Sequence, residues 1–147
     1  MLEVDEIRDV PIFEGLQTDH LQTIAADAEL VELEAGQVLF ENDNTGENFY
    51  IILRGEIQIT SPDGSYEKSF AYADVMGEIS FLNGARKNVT AKATESSRLL
   101  FLRAEDFHRI MNENTALGYI VYQNLTEQVF KRINEFDLPD IANFIWI

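Results

Sequence analysis

The chain has 147 residues, of which 46% are hydrophobic, so it is long and apolar enough to form one domain around its own core. Its 11 basic and 26 acidic residues give a formal net charge of −15, which disfavours binding to nucleic acids and anionic membranes because both require basic side chains opposite their phosphates. The absence of cysteine excludes disulfide bonds and thiolate chemistry.

The first residues lack the basic start and the apolar run of a signal peptide. No apolar run along the chain approaches the length of a membrane-spanning helix. We therefore predict a soluble, cytoplasmic protein that binds neither nucleic acid nor membrane.

Residues 1–28 are predicted to form a helical lead-in to the domain. Apolar residues at spacings typical of a helix indicate one over about residues 19–28, with Thr18 or Asp19 as its N-cap. Ahead of that helix, the candidate core anchors are Ile12, Phe13 and Leu16.

Residues 29–103 show short β segments separated by turn residues at regular intervals, which is typical of a small antiparallel barrel. The sequence Ser-Pro-Asp-Gly-Ser at residues 61–65 predicts a tight hairpin turn. Apolar Val89, Ala91 and Ala93 alternate with polar residues, which predicts a strand with one buried face. The predicted strands cover residues 29–34, 37–40, 49–53, 57–59, 66–72, 89–94 and 98–103.

Residues 104–147 are predicted to contain two helices and an apolar tail. The first helix covers about residues 104–111 and the second about residues 115–136. A helix as apolar as the second is expected to bury two sides, one against the barrel and the other against a second copy or over a binding pocket. Its apolar stripe consists of Leu117, Val121, Leu125, Val129, Ile133 and Phe136, with Tyr119, Ile120, Tyr122 and Phe130 beside it.

The stretch from residue 74 to residue 93 begins as an anion-binding turn would begin. Gly77 can turn the backbone tightly and approach a ligand closely because it carries no Cβ. Residues 78–82 can then form one helical turn whose unpaired N–H groups attract a phosphate. This order of residues predicts a backbone site for an anion.

The same stretch also supplies side chains for a sugar phosphate. Lys87 and Asn88, preceded by Arg86, place a cation and a hydrogen-bond donor at the end of the loop. The carboxylate of Glu78 can accept hydrogen bonds from sugar hydroxyls while the cation and the backbone bind the phosphate. A ligand that combines hydroxyls with a phosphate therefore fits this turn.

This turn resembles the phosphate-binding cassette of cyclic nucleotide-binding domains, the regulatory β-barrels of catabolite-activator-type regulators, cyclic-nucleotide-dependent kinases and gated channels. The common bacterial cassette reads Gly-Glu-Met-Ser-Phe-Leu-Asp-Gly-x-Pro-Arg-Ser-Ala-Thr-Val. Here Arg86 stands at the family's proline, Lys87 at its phosphate-binding arginine and Asn88 at a small residue, and a lysine cannot form the two-pronged grip of a guanidinium. The residues that match without a gap are Gly77, Glu78, Ser80, Phe81, Leu82, Gly84 and Thr90.

Two further motifs resemble the same family. The phrase Asp-Val-Pro-Ile-Phe-Glu-Gly-Leu before the first helix is similar to the start of many such domains. The barrel motifs read Gly-x-x-Leu-Phe-x-x-Gly-Asp and Leu-Tyr-Ile-Ile-x-x-Gly-x-Val-x-Val in the family, and the resemblance extends over about residues 12–133. The matching barrel residues are Gly36, Leu39, Phe40, Asp43, Tyr50, Ile51, Ile52 and Gly55.

The resemblance implies a mainly β fold, an antiparallel β-barrel of the double-stranded β-helix or jelly-roll type with an N-terminal helix and a long C-terminal helix. It implies one domain over residues 1–147, divided into the lead-in 1–28, the barrel 29–103 and the C-terminal segment 104–147. It further implies a stand-alone regulatory sensor that binds cAMP or cGMP and relays occupancy through its C-terminal helix. That helix would also carry a homodimer or protein-partner contact.

The resemblance also assigns roles within the cassette. Glu78 would bind the ribose 2′-hydroxyl, and Lys87 would be the countercharge of the phosphate, with Arg86 beside it. The remaining ligand-binding residues would be Gly77, Ile79 and Ser80 through their backbone, and Asn88 or Thr90 as added donors.

Two interpretations of the cassette remain open. The pocket binds a cyclic nucleotide, or the departures at Lys87 and Asn88 mark a degenerate, non-binding barrel that serves as an interaction or dimerisation module, with the charges of Arg86 and Lys87 solvated in a loop. The sequence contains no nucleophile elbow, Walker loop or catalytic dyad, so an enzyme is not expected. Its two histidines lie on different predicted helices, so no metal site is expected.

The C-terminal segment completes these expectations. Pro139 is predicted to end the long helix, and no helix-turn-helix follows it, so DNA binding is not expected. Gln128 and Arg132 lie late on that helix, where members of the resembled family sometimes contact the base. We interpret these two residues as part of an exposed helix face.

Overall fold

The computed structural model describes residues 2–41, 48–77 and 89–134, with side chains as far as Arg132. Its strands are β1 (Glu29–Leu33), β2 (Val38–Phe40), β3 (Phe49–Arg54), β4 (Ile57–Thr60), β5 (Glu67–Phe70), β6 (Val75–Met76), β7 (Thr90–Ala93) and β8 (Ser97–Leu102). Its helices are α1 (Val4–Ile7), α2 (Thr18–Asp27), α3 (Ala104–Glu113) and α4 (Thr115–Asn134), with a 3₁₀ turn at Pro11–Phe13.

The strands form two four-stranded sheets, ordered β1-β8-β3-β6 and β2-β7-β4-β5. Every pairing within them is antiparallel. Tyr50 and Ile52 from the first sheet share one apolar cluster with Ile57 and Ile59 from the second, so the sheets pack face to face. The predicted fold class, mainly antiparallel β with flanking helices, is confirmed.

Strand β3 is buried on both of its faces, which explains its unbroken apolar sequence. Tyr50 and Ile52 point between the sheets, whereas Phe49 and Ile51 belong to a second cluster formed with the helices. Because successive side chains of a strand point to opposite faces, one short strand serves both clusters. The helical layer is thereby attached to the sheets.

The helices pack on the outer face of the first sheet. Phe107 of α3 lies with its ring centroid 5.2 Å from that of Phe49, and both side chains are fully buried. Leu117, Val121 and Leu125 of α4 complete the same cluster. The amide of Asn124 donates hydrogen bonds of 2.9 Å to the carbonyl oxygens of Ile12 and Glu14, which ties α4 to the lead-in.

A charged contact holds the short helix α1 against strand β8. Arg98 donates from Nε to Oε1 of Glu6 at 2.8 Å and from Nη2 to Oε2 at 3.2 Å, and it also pairs with Glu32. The hydrogen bond from Arg98 holds the pKa of Glu6 below its ordinary value of 4.5. This two-pronged geometry suits a guanidinium and fixes the start of the chain on the sheet.

Most predicted elements are confirmed within a few residues. Ile12, Phe13 and Leu16 are buried core residues, as expected. The N-cap prediction was wrong by one position, because α2 already begins at Thr18 and Gln17 takes the extended N-cap conformation. The strand predicted over residues 66–72 ends at Phe70, since the backbone turns through Ala73 with φ +71°.

The sequence predicts neither a membrane-spanning helix nor a metal site. Among the helices of residues 2–41, 48–77 and 89–134, none combines the length and hydropathy needed to cross a membrane. Over the same ranges, no group of His, Cys, Asp or Glu side chains is arranged to hold a metal ion.

Candidate functional site

The predicted anion-binding turn begins at the end of strand β6. This strand consists of Val75 and Met76, paired with Ile51 and Tyr50 of β3. Gly77 follows at once with φ +93°, a left-handed conformation that side chains disfavour. The tight backbone turn expected from the glycine is therefore present at its first residue.

The far end of the predicted cassette leads into strand β7. Thr90 is half-buried and pairs with Thr60 of β4. Val89, Ala91 and Ala93 are buried between the sheets, which confirms the predicted alternation. Because the alanine side chains are small, the inner face of this strand fills little of the space between the sheets.

The described residues include both flanks of the predicted site. Gly77 and Thr90 are described, and they flank the cassette at the ends of β6 and β7. The predicted ligand-binding residues that lie outside the described ranges are Glu78, Ile79, Ser80, Arg86, Lys87 and Asn88. Their roles stay predictions.

The inner wall next to Gly77 is apolar and aromatic. Tyr50 packs its ring 5.8 Å from Phe40 and 5.1 Å from Phe101, measured between centroids. Phe70, the last residue of β5, and Met76 are nearly fully buried in the same cluster. Apolar and aromatic side chains of this kind are the ones that line sites for flat ligands in proteins.

Arg132, in the last turn of α4, reaches this wall from outside the sheets. Its Nη2 donates a hydrogen bond of 2.9 Å to the carbonyl oxygen of Val75, and its guanidinium carbon lies 5.0 Å from the centroid of the Phe70 ring. The residue is only 9% exposed. The interpretation of this position as an exposed helix face was therefore wrong.

A signal for the burial of Arg132 was present in the helix spacing. Residues seven and eleven positions after a buried residue return to the same face of a helix, and Arg132 stands at those distances from Leu125 and Val121. Gln128, which lies between them on that face, is half-buried. Residue type had outweighed spacing in the sequence interpretation.

Phe70 lies near a second cation. The Nζ of Lys68, two residues earlier on β5, is 5.5 Å from the centroid of the Phe70 ring. A guanidinium and an ammonium thus share one aromatic side chain on a molecule of net charge −15. Both side chains carry a charge of the sign that an anionic ligand requires.

The outer face of α4 carries aromatic side chains in solvent. Tyr119, Tyr122 and Phe130 are 69%, 37% and 61% exposed. Their spacing puts them on one side of the helix, away from the side that buries Leu117 and Val121. The prediction that one side of this helix is buried is confirmed for the described residues, whereas burial of the second side against a second copy or over a pocket stays a prediction.

A groove elsewhere on the surface is unrelated to this site. It has a volume of about 430 Å³ and lies between the N-terminal helices and strand β1, where Leu2, Ala25 and Leu30 contribute to its lining. Among the described residues that line it there is no Lys, Arg or His, and neither Gly77 nor Thr90 belongs to the lining.

Comparison with known proteins gives a family and a fold. Residues 30–114, more than half of the chain, match the family model described as "Cyclic nucleotide-binding domain". The chain is 26% identical over 111 residues to the cAMP-dependent protein kinase regulatory subunit of Eremothecium gossypii, covering 76% of this chain and 24% of that protein. It is 24% identical over 139 residues to the cyclic AMP receptor protein of Thermus thermophilus, covering 91% of this chain and 62% of that protein.

A solved structure shows the same fold. The crystal structure of a cyclic nucleotide-binding domain from Methylobacillus flagellatus superposes with a TM-score of 0.75 at 15% identity, covering 90% of this chain and 76% of that one. At this identity the likeness concerns the fold alone. The chain spans about a quarter of the length of the kinase regulatory subunit that it matches.

Proposed function

Since this chain belongs to the cyclic nucleotide-binding domain family, we propose that it is a regulatory sensor that binds cAMP or cGMP at the end of its two sheets. The observation that carries the proposal is Gly77, which takes the left-handed conformation directly after β6 and begins the cassette sequence. The 24% identity with a cyclic AMP receptor protein and the 26% identity with a kinase regulatory subunit support the same class of ligand.

In the proposed binding mode, the turn after Gly77 binds the phosphate and the ribose, and the apolar wall binds the base. The cyclic phosphate binds the backbone N–H groups that follow Gly77, with Lys87 as countercharge, and Glu78 accepts a hydrogen bond from the ribose 2′-hydroxyl. The base contacts the apolar wall that includes Phe70 and Met76. Lys68 adds positive charge at the same end of the sheets.

The proposed output is a shift of helix α4. The last turn of α4 contacts Val75, and Val75 lies two residues before Gly77, so a ligand that moves the turn also acts on the helix. A ligand can shift this helix only if it binds two helix positions with different affinity. We propose that a partner, or a second copy of the chain, recognises the shifted helix.

Ligand binding is expected to raise the melting temperature. At about 100 times its dissociation constant, cAMP or cGMP should add about 2.7 kcal/mol to the free energy of unfolding, because only the folded chain offers the site. The measurement is a thermal melt with each cyclic nucleotide, and 5′-AMP, which lacks the cyclic phosphate, is the matched control ligand. Glu78→Ala and Lys87→Ala should each remove most of the shift.

The result against the sensor would be equal melting curves with and without millimolar cyclic nucleotide. Equal shifts with 5′-AMP would instead show a generic nucleotide effect and contradict the assigned roles of Glu78 and Lys87. Glu95→Ala, which removes the carboxylate of an exposed residue outside the proposed contacts, is the matched variant and should leave the shift unchanged.

The aromatic outer face of α4 favours a second function, association with another copy of this chain. An exposed stripe with Tyr119 and Phe130 matches the aromatic enrichment of protein interfaces, and a stripe along one helix can pair with itself about a twofold axis. This function is compatible with ligand binding, and it is the function that would remain if the pocket were degenerate.

Phe130→Ala is expected to weaken self-association about tenfold or more, because a twofold interface loses the aromatic side chain from both copies. Sedimentation equilibrium over a range of protein concentrations measures the dissociation constant. Tyr72→Ala is the matched control, since it removes an aromatic side chain that is 55% exposed but lies outside α4. A monomer at all concentrations, or equal constants for Phe130→Ala and wild type, would contradict the interface.

A further inference from the structure

The side chain of Arg132 occupies a place next to the proposed binding turn. It is 9% exposed, although it belongs to the final described turn of α4 and carries a guanidinium at its end. Its hydrogen bond of 2.9 Å goes to the carbonyl oxygen of Val75, the residue that begins β6. A buried guanidinium with a charge-assisted bond has a defined position rather than a mobile one.

The guanidinium also covers a face of the ring of Phe70. The distance from its central carbon to the ring centroid is 5.0 Å, which is direct contact. A planar base placed between the two groups would need about 7 Å, because each stacked pair of planes requires about 3.5 Å. The guanidinium and a base therefore cannot use the same face of Phe70 together.

We propose that Arg132 is an internal competitor of the nucleotide base, so that ligand binding requires its guanidinium to leave Phe70 and the carbonyl of Val75. The inference rests on the proposed function, since it concerns the same site. The apparent affinity for the ligand is then the intrinsic affinity multiplied by the fraction of molecules in which Arg132 has withdrawn. Withdrawal also removes the bond between α4 and β6, which links occupancy of the pocket to the position of the helix.

A competing Arg132 and a supporting Arg132 predict opposite changes in ligand affinity when the side chain is removed. If Arg132 donated hydrogen bonds to the base, its removal would weaken binding. If it competes with the base, its removal strengthens binding, because no charge-assisted hydrogen bond has to be broken first. The sign of a single affinity change therefore distinguishes the two roles.

Arg132→Ala is expected to bind cAMP or cGMP about tenfold more tightly than the wild-type chain, measured by isothermal titration calorimetry. Lys131→Ala is the matched control, because Lys131 is the preceding residue and is exposed, and its affinity should stay within about twofold of wild type. Arg132→Gln, which keeps a planar polar end on a shorter side chain, should fall between the two and replaces the alanine variant if that chain folds poorly.

The outcomes separate this inference from the function on which it rests. Binding by wild type with equal or weaker binding by Arg132→Ala overturns the competition and leaves the sensor intact. Absence of binding by wild type, Arg132→Ala and Arg132→Gln alike overturns both. Tight binding by the variants alone supports the competition in its strongest form.

Hydrogen exchange of α4 gives a second readout. Saturating cyclic nucleotide should speed exchange in residues 129–132 of the wild-type chain, because the bond to Val75 is lost. In Arg132→Ala this segment should exchange fast already and respond little. Slower exchange of the wild-type segment on ligand addition contradicts the proposal.

Discussion

Phe107→Ala is expected to lower the free energy of unfolding by about 3–5 kcal/mol, one of the largest effects available in this chain. Phe107 is fully buried and packs its ring 5.2 Å from that of Phe49, at the junction between α3 and the first sheet. Its removal leaves a cavity that the sheet and the helix cannot both close. Because small domains have about 5–15 kcal/mol in total, much of the stability would be lost.

Urea denaturation followed by circular dichroism measures this change as a lower midpoint at unchanged slope. Asn112→Ala is the control on the same helix, since Asn112 is exposed and should alter stability by less than about 0.5 kcal/mol. A loss below about 1 kcal/mol for Phe107→Ala would mean that the helices do not pack on the sheet as described.

Gly55→Ala is expected to destabilise the chain by about 2–5 kcal/mol through two separable causes. Gly55 has φ +94°, which costs a side chain about 1–2 kcal/mol. A Cβ at this position would lie 2.6 Å from the Cα of Ser97 and would also collide with Ser96 O and Ser97 Oγ. Overpacking of this kind adds about 1–3 kcal/mol.

This steric clash cannot be removed by moving a single flexible side chain. Two of the obstructing atoms are backbone, and Ser97 Oγ already accepts a hydrogen bond of 3.1 Å from the N–H of Glu56 and donates one of 2.8 Å to the carbonyl of Glu95. The turn between β3 and β4 would have to move away from the start of β8.

Gly36→Ala isolates the cost of the backbone angle. Gly36 has φ +91°, almost the same as Gly55, but a Cβ there would meet nothing within 4 Å. Denaturant midpoints of the two variants should therefore differ, with only the strain of about 1–2 kcal/mol in Gly36→Ala. Equal losses of stability in the two variants would show that the close contact with Ser97 does not contribute to the destabilisation of Gly55→Ala.

The sheets were predictable because their burial follows simple periods. Val89, Ala91 and Ala93 alternate with polar residues, and the structure buries them between the sheets as a half-buried strand requires. The neighbours of the two faces of β3 were not predictable. An unbroken apolar run indicates a buried element but does not indicate which other elements bury each face. Only the partner clusters distinguish Phe49 from Tyr50.

Short elements gave too little pattern to be predicted. Helix α1 has four residues with Ile7 as its buried one, and strand β6 has two residues, so neither repeats its period. Both are held by contacts with distant parts of the chain, Arg98 for α1 and Ile51 for β6. The conformational preferences of neighbouring residues carry no information about contacts with such distant parts of the chain.

The candidate site was predictable at its beginning and less so at its wall. Gly77 was identified because a residue without Cβ is favoured where φ is positive, and the structure has φ +93° there. Arg132 was missed because a charged residue late in a helix is exposed far more often than buried. Its carbonyl partner Val75 is 57 residues away in the chain.

The double burial of β3 also decides how the molecule can be divided. Phe49 and Ile51 depend on the helices for cover, and Tyr50 and Ile52 depend on the second sheet. Removing the C-terminal helices would expose the apolar side chains of Phe49 and Ile51 to water, on a strand that the two sheets still require. We therefore expect the described sheets and helices to unfold as one cooperative unit, and we expect a minimal version made of the sheets alone to aggregate.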